Sequence, residues 1–324
     1  MLKVRSCEDL DECAEIWQKY WPKRCVFDLW EVRTCFASRF SNDPYFLFAE
    51  ENQKVEGILA LSWINESQTY GHFPGETWCD KTWLEQNKIP ARSSQALNLM
   101  LDSVPGPLHL RYLTTDCMPE GCFPLAIDEI GYLLYPPKYG YLFDNYMQEF
   151  SGKSRKNLAR EIARLQSGGI AYRYNQLSDV DWLFRKNKEA FGELSYFSDA
   201  RFLTSYEKLV SWLFDHGLLR ITTVLLGGTV AAVDIGAVWE SDYTVLAGAA
   251  DPEFAGVAKI INLHHIEWAC RQRLNSVDFL CGDFSWKKRF HLANRPLYEI
   301  YRNCPAAVPA NSESLLSRVQ VREH

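Results

Sequence analysis

Residues 218–259 read LLRITTVLLGGTVAAVDIGAVWESDYTVLAGAADPEFAGVAK. Two apolar runs, 218–226 and 229–239, flank Gly227-Gly228, and a third follows at 242–250. Paired glycines between such runs supply the positive φ angles of a tight hairpin turn. The stretch therefore predicts an antiparallel meander of three strands. A helix over 257–273 comes next, entered through Gly256. Its Ile260, Ile261, Leu263, Ile266, Trp268 and Ala269 make it apolar nearly all round, which predicts burial. His264, Glu267 and Arg271 form its polar stripe, so His264 reads as exposed, whereas His265 shares a face with Ile261 and Trp268 and reads as structural.

Working outward, a strand at 170–175 precedes the meander, followed by two helices. The first begins near Ser178 and the second spans 199–216, with Gly217 as the left-handed residue that ends it. Downstream, a strand at 276–281 ends at Gly282, and Asp283 is placed to cap a helix from Phe284. The order is β-α-α-β-β-β-α-β-α, a mixed sheet with helices on both faces. The first half of the chain repeats the opening of this order. Ser6 and Asp9 precede a helical pattern, 27–39 reads as a second helix, and 45–50 and 55–64 flank the polar turn ENQK, with a further strand at 69–73. The offset between halves is 172 at Ser6 and Ser178 and 175 at Val55 and Val230. A steady offset predicts a duplicated domain, 1–148 and 149–304, with 305–324 as a Pro-, Ala- and Ser-rich tail expected to lack order.

Composition narrows the function. The 324 residues are 47% hydrophobic and 23% charged, as in a soluble globular protein with two domains. No run of about 18 apolar residues exists, so no membrane helix is expected. The start, MLKVRSCEDL, lacks the apolar core of a secretory leader. None of the ten cysteines forms Cys-x-x-Cys or has a histidine at zinc spacing, which predicts a reducing cytoplasm and no metal. The formal charge of −6 argues against broad nucleic-acid binding, while leaving room for a local basic patch.

The motif order resembles the GNAT (Gcn5-related N-acetyltransferase) fold. SGKSRKNLAREIARLQSGG (151–169) resembles the basic helix that opens the second domain in two tandem-GNAT groups, the Fem-type peptidoglycan aminoacyl transferases and the CelD-like acetyltransferases. LRI (219–221), GTVAA (228–232), AADPE (249–253), IEWA (266–269), VDFLCG (277–282) and WKKRF (286–290) look most like the CelD-like group. The match covers roughly residues 140–300, and the first half matches as a degenerate copy. The resemblance implies transfer of an acyl group to an amine of a sugar, peptide or small molecule. The donor would be acetyl-CoA or another acyl-CoA, or aminoacyl-tRNA as in the Fem group. A GNAT-shaped binding module without catalysis is the remaining alternative.

The resemblance also implies positions. The donor would lie where strands 242–250 and 276–281 splay, along Ala249 and Ala250. Its pyrophosphate would sit on the helix tip formed by Gly256, Val257, Ala258 and Lys259, where free N–H groups favour anions. Glu253 departs from the family pattern there, and a carboxylate beside a pyrophosphate repels it by about 1 kcal/mol or more. Lys287 falls where the Fem group has a charge-stabilising lysine, although Trp286 and Phe290 at i, i+4 equally read as core contacts that leave the cations on a solvated face. No tyrosine lies between Gly282 and Phe290 to protonate a leaving group.

From the residues themselves, helix 153–166 presents Leu158, Ile162 and Leu165 on one stripe and Lys156, Arg160 and Arg164 on another, so Lys156 and Arg160 are candidate contacts for an anionic ligand. A solvated helix against an acidic first domain reads equally well. Asp234 interrupts a strand among Ala232, Gly236 and Val238, either facing solvent or placed to deprotonate the acceptor. The resemblance, rather than the residues, implies that Glu193 and Tyr196, in the loop between two helices, would border the acceptor pocket; aromatics there equally read as covering a core edge.

Overall fold

The structure, a computed structural model, describes residues 1–121, 125–282 and 285–303. The first half contributes β1 (Lys3–Cys7), α1 (Leu10–Tyr20), α2 (Trp30–Phe40), β2 (Pro44–Glu51), β3 (Lys54–Ile64), β4 (Thr69–His72), α3 (Ser94–Asp102), β5 (Leu108–Leu113) and β6 (Ala126–Leu134). A short helix α4 (Phe143–Met147) and the basic helix α5 (Gly152–Ser167) connect the halves. The second half contributes β7 (Ile170–Tyr174), α6 (Ser178–Phe191), α7 (Ala200–Asp215), β8 (Leu219–Leu226), β9 (Thr229–Trp239), β10 (Asp242–Ala250), α8 (Val257–Gln272), β11 (Ser276–Asp278), α9 (Ser285–Arg289) and β12 (Ala293–Arg302).

All twelve strands join one mixed sheet, in the order β1-β2-β3-β4-β5-β12-β6-β11-β10-β9-β8-β7. The order reads alike from both ends, with β1 to β6 matched by β7 to β12. The two hairpins also match. Asn52 and Gln53 carry φ of 49° and 64°, and Gly227 and Gly228 carry 56° and 84°. A one-residue register shift lies beside each turn, between Ala49 and Glu50 and between Val224 and Leu225. The sixth strands are exchanged: β6 pairs with β11 and β12, and β12 reaches across to β5.

The expected capping differs in detail. Ser6 lies inside β1, and Asp9 caps α1 by accepting from the N–H of Glu12. Ser178 is the first residue of α6 and caps nothing, so the two helices start 168 residues apart, at Leu10 and Ser178. The expected helix 27–39 is a short turn, Val26–Asp28, followed by α2. Asp283, Phe284 and the tail from Cys304 lie outside the described residues.

Helices cover both faces. On one, α2 and α6 and α7 share a core that includes Phe27, Phe36, Phe202, Tyr206, Val233 and Ile235. On the other, α8 buries Leu263 and Ile266 against Tyr132, Tyr243 and Val277. His264 departs from the exposed stripe expected of it. It is buried, stacked on Tyr172 at 4.0 Å, with Nε2 3.0 Å from the Tyr174 hydroxyl, and burial lowers its pKa to about 3.

Candidate active site

β10 and β11 run parallel over three residue pairs, the last being Thr244 with Asp278. β10 then bulges between Val245 and Ala247 and follows β9 to Ala250. The chain after β11 turns instead toward β6: the Phe279 N–H donates to the Tyr132 carbonyl at 2.9 Å, and the Tyr132 N–H to the Leu280 carbonyl at 3.2 Å. The two strands therefore part beyond Thr244. At the parting, the Tyr206 hydroxyl donates to the Leu246 carbonyl at 2.8 Å.

The matching gap in the first half is occupied by its own chain. β4 and β5 pair at Tyr70 and Leu108, and residue 87 is then inserted beside β5. The Asn87 N–H donates to the Tyr112 carbonyl and the Thr114 N–H to the Asn87 carbonyl, both at 2.9 Å. An extended ligand could add to the second parting, but the first is already filled by backbone.

Lys287 sits at the mouth of the second parting. It is buried, and its ammonium donates to the carbonyls of Phe279, Leu280 and Cys281 at 2.9, 3.0 and 2.6 Å. The Tyr132 ring lies 5.2 Å from Nζ, and burial pulls the lysine pKa down. Trp286 packs edge-on against Phe290 at 5.3 Å and against Phe279 at 5.5 Å. The aromatic pair is thus core, as the bland reading held, but Lys287 is turned inward with it.

Facing it is a group the sequence did not disclose. Glu85, from the loop between β4 and α3, is 5% exposed. Its carboxylate accepts from the Cys281 N–H at 3.0 Å and from the Cys281 thiol at 2.8 Å. Burial pushes its pKa up to about 7. Its neighbour Gln86 donates to Asp278 at 2.8 Å, and Arg295 from β12 pairs with the same carboxylate at 2.9 Å. Both halves therefore build the mouth of the parting.

Gly256 caps α8 with φ of 92°, as a left-handed glycine. The tip is covered from α5. A Cβ on Gly256 would come within 2.3 Å of the Glu161 carboxylate, which also pairs with Lys259. Arg164 donates to the Ala255 carbonyl at 2.6 Å. Val257 is buried, Ala258 exposed, and Ala249 and Ala250 half-buried at the end of β10. The tip thus holds an anion, but one supplied by the chain.

The remaining candidates scatter. Asp234 is buried under α8, 2.9 Å from His265 Nε2 and against Gly248. This corrects the solvent-facing alternative, and the pairing also withdraws the residue from an acceptor in the parting. Tyr196 donates to the Thr82 carbonyl at 3.0 Å and packs on Phe202. Glu193, Lys156 and Arg160 are exposed. No described helix is long and apolar enough to cross a membrane.

Residues 152–288 match the family model described as an acetyltransferase (GNAT) domain. The chain therefore carries a GNAT domain within its mixed α/β sheet. Solved structures with a similar fold include FemX, at 10% identity over 92% of this chain and 98% of that one, with a TM-score of 0.56. The C-terminal domain of a putative lysylphosphatidylglycerol synthetase from Agrobacterium fabrum aligns at 9% identity over 91% and 93%, with a TM-score of 0.54. L-PGS from Bacillus licheniformis aligns at 11% identity over 93% and 94%, with a TM-score of 0.52. At these identities the likeness is one of fold. No curated protein sequence matches the chain.

Proposed function

We propose that the chain is an N-acyltransferase that brings an activated acyl group and an amine together at the parting of β10 and β11. In this reading 149–304 is the acyl-transferring unit, and 1–148 is a degenerate copy that closes the site. The observation that carries it is that Glu85 and Lys287 both bond to Cys281, beside a parting of β10 and β11 into which no backbone is inserted among the described residues, on a GNAT domain. The donor's arm would add to the free edge of β10. Glu85, titrating near neutrality, would take a proton from the acceptor amine, as a general base should. Lys287, fixed by three carbonyls, would supply a preorganised positive field at the developing oxyanion, which at an effective dielectric of about 20 and a separation of about 5 Å amounts to about 3 kcal/mol. Attack is direct, with no acyl-enzyme.

GNAT domains generally use acyl-CoA, which makes acetyl-CoA the first donor to test. Calorimetric titration with acetyl-CoA and CoA, followed by transfer assays on amino acids, amino sugars and short peptides, is the direct experiment. Absence of binding together with absence of transfer from any donor would overturn the proposal.

A second donor is favoured by the Glu161 carboxylate seated on the helix tip, where a pyrophosphate would otherwise go. Aminoacyl-tRNA needs no pyrophosphate at that point, and Lys156 and Arg160 on the exposed face of α5 suit a phosphate backbone. Affinity for tRNA should then fall linearly with salt on logarithmic axes. A salt-independent constant removes this donor.

A further inference from the structure

Glu85 comes from the first half, yet its carboxylate is held by one residue of the second. Among the described residues, each hydrogen bond it accepts comes from Cys281. The N–H reaches its two oxygens at 3.1 and 3.0 Å, and the thiol donates at 2.8 Å. The Cys281 carbonyl accepts from the Lys287 ammonium at 2.6 Å. One residue thus touches both groups on which the proposed reaction depends. Its place follows from the turn that ends β11. Leu280 stands at φ 58°, a left-handed conformation uncommon for a residue with a side chain. Such a conformation persists only where its surroundings impose it. Here the Leu280 N–H donates to Asp278 at 2.8 Å, and its carbonyl accepts from Lys287 and from the Tyr132 N–H. Asp278 in turn accepts from Gln86, the residue after Glu85. The bonds from Gln86 to Asp278 and from Cys281 to Glu85 therefore lock a loop of one half to a turn of the other. The titratable groups that face the Glu85 carboxyl are Asp278 of β11, Lys287 of α9, Arg295 of β12, Tyr112 of β5, Tyr196 between α6 and α7, and Tyr206 of α7, while Glu129 of β6 faces the thiol.

We propose that Cys281 is the positioning residue of the acyltransferase site, its thiol fixing the Glu85 carboxylate at the parting and keeping it available as a base. The role rests on the acyltransferase reading above. A thiol in such a place can serve as nucleophile or as donor, and its surroundings decide. Burial, and after it the neighbouring Glu85, holds the thiol well above its usual pKa, so the sulfur keeps its proton. The thiolate is the nucleophilic form, so Cys281 acts as a hydrogen-bond donor and no acyl group passes through it. A donated bond favours the charged carboxylate over the neutral acid. It therefore opposes the upward push that burial exerts on Glu85. Without it the carboxyl would titrate higher, and less of it would be free to take a proton at neutral pH.

The test compares the full wild-type chain with Cys281→Ala and Cys281→Ser. Carbon-13 NMR of glutamate-labelled protein follows the Glu85 carboxyl, assigned by its loss in Glu85→Gln. The alanine variant should move the Glu85 midpoint upward, and serine, which restores a donor, should bring it back toward that of wild type. Transfer is read over a range of pH with acetyl-CoA and aminoacylated total tRNA as donors and amino acids, amino sugars and short peptides as acceptors. Cys281→Ala should lower kcat at pH 7 by about five- to tenfold, as loss of one hydrogen bond would, with KM unchanged. The deficit should shrink as pH rises and the carboxylate refills, and serine should rescue it. A loosened turn would instead slow the reaction alike at every pH. An unmoved midpoint in the alanine variant, or a deficit constant with pH, overturns the role of Cys281 and leaves the transferase intact. A wild type inactive with both donors overturns the transferase reading, and the positioning role with it, whatever the titration shows.

Discussion

Glu85 illustrates how a single carboxylate is tuned by its surroundings. Water is excluded from it, which disfavours the charged form, and the hydrogen bond from the Cys281 thiol offsets that only in part, so its pKa rises from 4.5 to about 7. The native state then holds the proton more tightly than the unfolded chain. The stabilisation this brings is complete below the unfolded value and is lost as pH rises through about 7. Glu85→Gln, which keeps an acceptor for the Cys281 N–H and cannot ionise, should therefore gain stability relative to wild type as pH climbs from 5 to 8, by up to about 3 kcal/mol. Denaturant melts at several pH values check this, and a constant difference would show that Glu85 is not perturbed. The same variant should lose about 10²–10⁴-fold in kcat, together with the acid limb of the rate profile near pH 7.

At the scale of elements, the junction of α5 and α8 is where the two proposed donors differ in what they need. Glu161 occupies the helix tip and neutralises Lys259. Glu161→Ala should free both, raising affinity for acetyl-CoA about tenfold or more through relief of a repulsion of about 1–3 kcal/mol. Calorimetry reads this directly; unchanged affinity would place any CoA elsewhere. These elements were legible from the sequence. The Gly227-Gly228 hairpin, the apolar helix after Gly256 and the strand before Gly282 set out the second half, because each has a strong local signal. Strand β12 gave no such signal: Pro296 sits in mid-strand, and a proline argues against a central strand. Glu85, Gln86, Asn87 and Lys88 were equally silent. All four are buried, but a polar run without periodicity reads as a solvated loop, and only packing across the halves takes it out of water. The proposed site was thus half readable: Lys287 lies in a local motif, whereas Glu85 is a tertiary neighbour about 200 positions away in the chain.

At the scale of the whole molecule, the exchange of β6 and β12 makes the duplication a single folding unit. The second half alone would leave β11 without β6 and β12 without either neighbour, β5 or β6. It would also uncover the face of α7 that packs on α2, where Phe36 and Phe40 meet Phe202 at 6.1 and 4.8 Å. Unpaired central edges and an exposed aromatic face favour aggregation over folding. A fragment of residues 149–324 should therefore be insoluble or lack a cooperative melt, and so should 1–148. Mixed during refolding, the two should recover one soluble complex, since each supplies the strand the other lacks. The intact chain should unfold in a single transition, with near- and far-ultraviolet circular dichroism coincident. Two separated transitions, or a fragment 149–324 that folds and transfers acyl groups alone, would show that the second half carries its chemistry without Glu85. Retention of transfer by that fragment would count most heavily, because the exchange matters for function only if it is what delivers the base to the parted strands.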